Sequence, residues 1–156
     1  MTLHRLARRT SAAALGVGLL LVPATPAPGQ DLSDARLVAD PAMSASHIAF
    51  HYDGDLWVAD RDGARARRIT THDGLETSPR FSPDGRWLAF SGEYDGNVDV
   101  FVVPVTGGAP RRLTWHPGAD VVLDWTPDGA AVLFRSQRSV HTSRHTQLFT
   151  VCLLYT

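Results

Sequence analysis

Beyond residue 37 the apolar positions gather in short, dense runs: Ile48-Ala49-Phe50, Trp87 to Phe90, Val100 to Val103 and Val132 to Phe134. The runs are nearly continuous rather than strictly alternating, which fits strands covered on both faces. Turn residues bound them. Pro83-Asp84-Gly85 and Pro127-Asp128-Gly129 each precede an apolar run; the proline pre-sets φ for the second position of a type I turn, and the glycine accepts the left-handed conformation that starts the next strand. Asp53-Gly54, between "IAFHY" and "DLWVA", is a two-residue hairpin signal for a type I′ turn. In the central segment this predicts a strand ending near Phe81, a turn over 82–85 and a strand over 87–91. A hairpin around 93–97, a strand over 99–103, a Gly107-Gly108 turn and a last strand over 111–114 follow.

The runs recur as words. "PRFSPDG" (79–85) returns as "LDWTPDG" (123–129), and "ARRIT" (66–70) as "PRRLT" (110–114), each after 44 residues. "HDG" (72–74) returns as "HPG" (116–118) and "DLWV" (55–58) as "DVFV" (99–102), with a degenerate "QLFT" at 147–150. Several words sharing one period of this length mark a repeated four-stranded antiparallel sheet packed between copies of itself, a propeller blade. A β-sandwich, the runner-up, gives no reason for repeated words. The expected fold is all-β: a partial β-propeller of about three four-stranded antiparallel blades, over about 37–74, 75–118 and 119–151. Closed propellers have about four to eight blades, so the chain reads as the beginning of a longer protein. Residues 30–151 alone are expected to aggregate or associate through an uncovered apolar face.

Residues 1–29 read differently. Arg5, Arg8 and Arg9 precede the uncharged run "SAAALGVGLLLV" and the small-residue segment "PATPAPGQ", the three parts of a secretory signal peptide, with cleavage after Ala24 or Ala27. The apolar run is too short to span a bilayer comfortably. The protein is therefore expected to be exported, periplasmic or extracellular, from a bacterium. All 16 acidic residues and 12 of the 15 arginines lie beyond Gln30, a formal net charge of −4 there. No basic stripe remains for nucleic acid or for an anionic membrane surface. Cys152 is the single cysteine, so no internal disulfide is possible. Residues 152–156, Cys-Leu-Leu-Tyr-Thr, are what the transposon-end sequence TGTCTCTTATACACA encodes, and they are expected to be adapter read-through rather than native sequence.

The polar residues offer little chemistry. His4 belongs to the signal. His72 and His116 occupy equivalent repeat positions, which points to blade architecture. His141 and His145 are four apart, but "SQRSVHTSRH" reads as a long hairpin rather than a helix, so no zinc pair is expected. Asp55 and Asp99 open equivalent strands and are expected to cap nearby backbone N–H groups. Ser143 and His145 lack the oriented base and oxyanion hole of a triad. Trp57, Phe81, Trp87, Phe90, Phe101, Trp125 and Phe134 fall on strands as core; Trp115 follows a strand and is less defined. Arg135, Arg138 and Arg144 surround the long hairpin, where a solvated loop is the expectation and a peptide carboxylate the alternative. No catalytic, cofactor-binding or metal-binding residue is expected, and no cofactor.

The Pro-Asp-Gly turns with "LAF" strands resemble TolB-type propeller repeats. The run "GEYDGNVDVFVVP" followed by "RRLTWHPGAD" narrows the likeness to the N-terminal propeller of tricorn-like proteases, over residues 38–151. That resemblance implies a six-bladed first propeller. A second propeller, a PDZ-like domain and a serine-peptidase module of the C-terminal-processing type follow it. The catalytic residues belong to that last module, and no position of this chain matches them. The implied role is to guide peptide or protein substrates and to scaffold downstream domains, with a homo-oligomer possible. The alternatives are a non-enzymatic TolB-like propeller binding envelope proteins, and the propeller of a prolyl-oligopeptidase-type enzyme.

Overall fold

The computed structural model describes residues 38–138 and 145–153. The expected leader over 1–29 lies outside these residues, as do His141, Ser143, Arg144 and residues 154–156. The strands are β1 (Ala39–Met43), β2 (His47–Tyr52), β3 (Asp55–Asp60), β4 (Arg67–Arg68), β5 (Glu76–Phe81), β6 (Trp87–Glu93), β7 (Val98–Pro104), β8 (Arg111–Arg112), β9 (Asp120–Trp125), β10 (Ala131–Ser136) and β11 (Gln147–Cys152). They form antiparallel sheets in the orders β1-β2-β3-β4, β5-β6-β7-β8 and β11-β10-β9. Among the described residues the third sheet has three strands, and no helix is long and apolar enough to cross a membrane.

The turns follow from their sequences. Tyr52 pairs with Asp55 across a two-residue loop in which Asp53 and Gly54 have φ of 52° and 90°, the two positive values that a type I′ turn requires. Gly85 and Gly129 stand at φ 70° and 69°, and each N–H reaches the carbonyl three residues back, of Ser82 and Thr126, at 2.8 Å. The hairpin expected around 93–97 is closed by the Glu93–Val98 pair.

β4 and β8 are shorter than the sequence pattern indicates, and the hydrogen bonds show why. Ile69 and Leu113 still donate their N–H to the carbonyls of Leu56 and Val100. The next residues, Thr70 and Thr114, then accept from Leu56 and Val100 N–H with their hydroxyls, at 2.8 and 3.0 Å. A side chain thus finishes each ladder in place of backbone.

The core lies between the sheets. Leu56 and Val58 of β3 meet Leu88, Phe90, Phe101 and Val103 of the second sheet. On its opposite face, Ala89, Val100 and Val102 meet Val122, Trp125, Val132 and Phe134. The second sheet is covered on both sides, the arrangement that the unbroken run "WLAF" predicts. Burying a side chain such as Phe90 fully is worth about 1.5–3 kcal/mol. Leu148 of β11 falls where β7 has Val100 and is 66% exposed, because no sheet covers that face among the described residues. β5 lies beside both β1 and β9, so the first strand of every sheet faces a common axis.

Candidate functional site

The three inner strands carry the irregular backbone. Their pairing slips between Ala39 and Ala42 in β1, and between Thr77 and Arg80 in β5; opposite β9 it slips between Leu133 and Phe134. Asp40 and Ser78, each directly before a proline, stand at φ 50° and 55°, a region that non-glycine residues rarely occupy. Ser78 N–H donates to the Asp40 carboxylate at 3.3 Å, which ties the two bulges together. Between β5 and β9, Arg80 Nε donates to Leu123 O and Trp125 Nε1 to Arg80 O, both at 2.9 Å. Ser91 Oγ accepts from Val122 N–H at 2.9 Å.

Buried acids stand at one end of these strands. Glu76, fully buried at the start of β5, accepts from Leu56 N–H at 3.0 Å and from the hydroxyls of Thr70 and Tyr94. Burial pushes its carboxyl above the usual carboxylate range against the opposing pull of those donors. Burial, then the bond to Glu76, pushes the Tyr94 phenol upward too. Asp120 is the equivalent acid of β9 and pairs with Arg138.

Asp55 opens β3 and Asp99 is the second residue of β7, at equivalent repeat positions, but their partners are side chains, not the backbone N–H groups expected. Asp55 meets Arg68 at 3.2 Å, while Asp99 meets Arg112, Asn97 and Thr114. The β3–β4 and β7–β8 registers set Trp57 opposite Arg68 and Phe101 opposite Arg112, bringing each arginine within reach of the acid near the start of its sheet's third strand. Arg138 likewise departs from the expected solvated loop: it folds back onto buried Asp120 and lies over the rings of Phe134 and Phe149 at 4.9 and 5.3 Å. Arg135 is exposed.

His72 and His116 do the same local job. Their Nδ1 atoms accept from Gly74 and Gly118 N–H, each at 2.9 Å, and shape the loops that enter β5 and β9. His72 also stacks on Tyr94 with ring centres 3.8 Å apart. His145 is exposed at the start of the last hairpin strand. Phe90, Phe101, Trp125 and Phe134 are buried as core, while Trp57, Phe81 and Trp87 are half-buried. Cys152 is exposed and pairs with Ala131 at the end of β11.

Among the described residues, two surfaces stand open to a ligand. The loops 71–75 and 115–119 lead into the inner strands and flank the 94–97 hairpin. Glu93 N–H donates to Leu75 O at 3.0 Å, and Asn97 donates to His116 O at 2.5 Å. Here Leu75 and Trp115 are 51% and 63% exposed, among the exposed carboxylates of Asp73, Glu93 and Asp95. Arg112 is held by Asp95 and Asp99 and lies 5.9 Å from the Trp115 ring centre. On the opposite face a shallow pocket of about 180 Å³ lies between the two Pro-Asp-Gly turns, lined by Pro83, Asp84, Trp87, Asp128 and Leu153. Its carboxylates serve the turns. Asp84 takes the Ser82 hydroxyl at 2.6 Å and Arg86 N–H at 3.1 Å, which lowers its carboxyl to about 2. Asp128 takes the Thr126 hydroxyl and Ala130 N–H and is lowered for the same reason. These turn-locking roles of Ser82, Thr126 and their aspartates went unread in the sequence, although the repeated Ser/Thr-Pro-Asp-Gly word carries them.

The architecture has known counterparts. The chain is similar to the tricorn protease in its crystal structure (TM-score 0.65, 24% identity), over 73% of this chain and 12% of that one. It is similar to TolB from Acinetobacter baumannii (TM-score 0.61, 24% identity), over 76% of this chain and 30% of that one. Both likenesses concern the fold. In sequence, 59 residues are 37% identical to a TolB homologue of Chlorobium luteolum, covering 38% of this chain and 14% of that protein. Fifty-eight residues are 41% identical to tricorn protease homologue 1 of Streptomyces coelicolor, covering 37% of this chain and 5% of that protein. The chain therefore spans only a small part of the curated relatives it matches. Residues 35–154 match the family model of the tricorn protease N-terminal β-propeller domain, and with its sheets packed around shared inner strands the chain belongs to that family.

Proposed function

We propose that this chain forms the first part of the N-terminal propeller of an exported bacterial serine peptidase of the tricorn type. Its role is to receive and guide peptides and to support assembly, while bond cleavage falls to residues elsewhere in the protein. The observation that carries this reading is the family match over residues 35–154, on a structure whose inner strands lie side by side along one axis. Export rests on the leader-like residues 1–29. The surface offered to a peptide is the loop face around Leu75 and Trp115, where apolar side chains stand beside carboxylates at the entrance to the inner strands.

The gene sequence past the Val151 codon tests the reading. A frame running through further blades into a PDZ-like domain and a serine-peptidase module is the expected result. A stop codon directly after Thr156, or a ring with no peptidase module, overturns it. The second outcome favours a TolB-like propeller that binds protein partners, a reading supported by the 37% identity over 59 residues to the Chlorobium luteolum protein.

A further inference from the structure

The two joints between sheets use the same repeat positions but not the same charges. In the first, Asp55 of β3 and Glu76 of β5 are both buried, and the Asp55 carboxylate adds to the burial that raises Glu76. Their neighbouring cation, Arg68, is half-exposed and reaches only Asp55 Oδ2; Asp55 Oδ1 is buried without a hydrogen-bond partner. Glu76 is held by the neutral donors Thr70, Tyr94 and Leu56 N–H. In the second joint, 44 residues on, Asp99, Asp120, Thr114 and Arg112 replace Asp55, Glu76, Thr70 and Arg68. Tyr94 changes character: Arg138 takes its place and pairs with Asp120, although Asp120 too keeps one oxygen unbonded. The second joint thus has an arginine for each buried carboxylate, while the first has one arginine for two.

We infer that the joint between the first and second sheets takes up a proton on Glu76 as the pH falls and tightens. Two carboxylates in one water-poor site cannot both stay charged cheaply when one cation serves them. The other titratable groups around Glu76 are His72, stacked on Tyr94, and His51 of β2, cross-strand partner of Leu56, whose Nε2 is buried without a partner. On β1, Asp40 is engaged with Ser78 N–H. A carboxyl raised in the folded state contributes stability that is fully present below its unfolded pKa and lost as the pH rises through the folded one. The inference does not depend on the peptidase reading, since it concerns the contact between two sheets.

The repeat supplies the control. Leu56 and Val100 N–H are equivalent amides, each donating to a threonine hydroxyl, but only Leu56 also reaches Glu76. In the full 156-residue chain, hydrogen-exchange protection of both amides, corrected for intrinsic rate, is measured from about pH 4 to about pH 8. The expected result is a loss of Leu56 protection relative to Val100 as the pH rises, about tenfold for each unit by which Glu76 is raised. Glu76→Gln removes this dependence, and Tyr94→Arg, which gives the first joint the cation of the second, flattens it. Parallel behaviour of the two amides overturns the inference. So does a dependence that survives in Glu76→Gln, since another group then carries it. Should Tyr94→Arg not fold, Glu76→Gln decides alone.

Discussion

Gly74 and its repeat equivalent Gly118 make a matched pair for testing how the interblade loops are held. A Cβ added at Gly74 would stand 2.0 Å from the backbone oxygen of Glu93 and 2.7 Å from its carbonyl carbon. Non-bonded heavy atoms prefer about 3.5–4.0 Å, so the 71–75 loop must retreat from the β6–β7 hairpin by more than about 1 Å. Both obstructing atoms are main chain, and no rotamer change relieves the clash. Overpacking of this kind costs about 1–3 kcal/mol. The retreat also stretches the 3.0 Å bond from Glu93 N–H to Leu75 O, worth about 1 kcal/mol more. Gly74→Ala is therefore expected to destabilise the protein by about 2–4 kcal/mol, which lowers a urea midpoint by about 1 M or more. At Gly118 the nearest atoms are the His116 ring at 3.2 Å, a side chain that can shift by a few tenths of an ångström at the expense of the bond it accepts from Gly118 N–H. Stiffening the unfolded chain returns about 0.4–1 kcal/mol, so Gly118→Ala is expected to stay within about 1 kcal/mol of the parent. Urea unfolding followed by tryptophan fluorescence compares the two. Equal midpoints for the pair, or an unshifted Gly74→Ala, would refute the reasoning.

Other outcomes follow from single sites. Phe90→Ala removes a fully buried ring stacked 5.6 Å from Phe101 and should cost about 3–5 kcal/mol by the same unfolding assay. The Asp84 carboxyl should titrate with a midpoint of about 2 by NMR. Because that value is depressed, the stabilisation it contributes is present above the ordinary carboxylate range and lost as the pH falls through about 2. Asp84→Asn should accordingly be destabilising at neutral pH and indistinguishable from the parent in strong acid, as read from thermal midpoints. Trp115→Ala, at a 63% exposed side chain, should leave the urea midpoint unchanged while reducing photo-crosslinking of a peptide mixture; unchanged crosslinking would remove Trp115 from the guiding surface.

The sheets and turns were legible because local rules agree with the fold. The Asp53-Gly54 hairpin, the Pro-Asp-Gly turns and the unbroken run over 87–90 each state a backbone requirement or a burial state within a few residues. What escaped reading depends on chain distance. Thr70 and Thr114 looked like ordinary ends of β-strands, yet their hydroxyls replace backbone acceptors, a substitution that no local pattern announces. Glu76 and Asp120 drew no reading from the sequence, since exposure is the usual expectation for a carboxylate; their partners lie in the preceding sheet or in the following hairpin. Arg138 could be placed in a hairpin from sequence, but the acid it folds onto lies 18 residues earlier. The inner-strand bulges at Asp40 and Ser78 had no signal beyond the proline that follows each.

The bonds that run from one sheet to the next also bear on how the chain can be made. The Thr70 hydroxyl waits for Glu76, Ser91 for Val122, and Arg67 for the carbonyl of Val105. During synthesis a completed sheet therefore still has open polar groups and a bare apolar face until part of the next has left the ribosome. Each sheet is a template whose last requirements are met by its successor, and maturation proceeds as a moving front rather than in finished packets. A cut placed at an apparent repeat boundary such as Gly74 would strand Leu56 and Thr70 without their acid. A cut beyond Val105, after β5, β6 and β7 have been delivered, leaves the first sheet with its polar partners and its apolar cover.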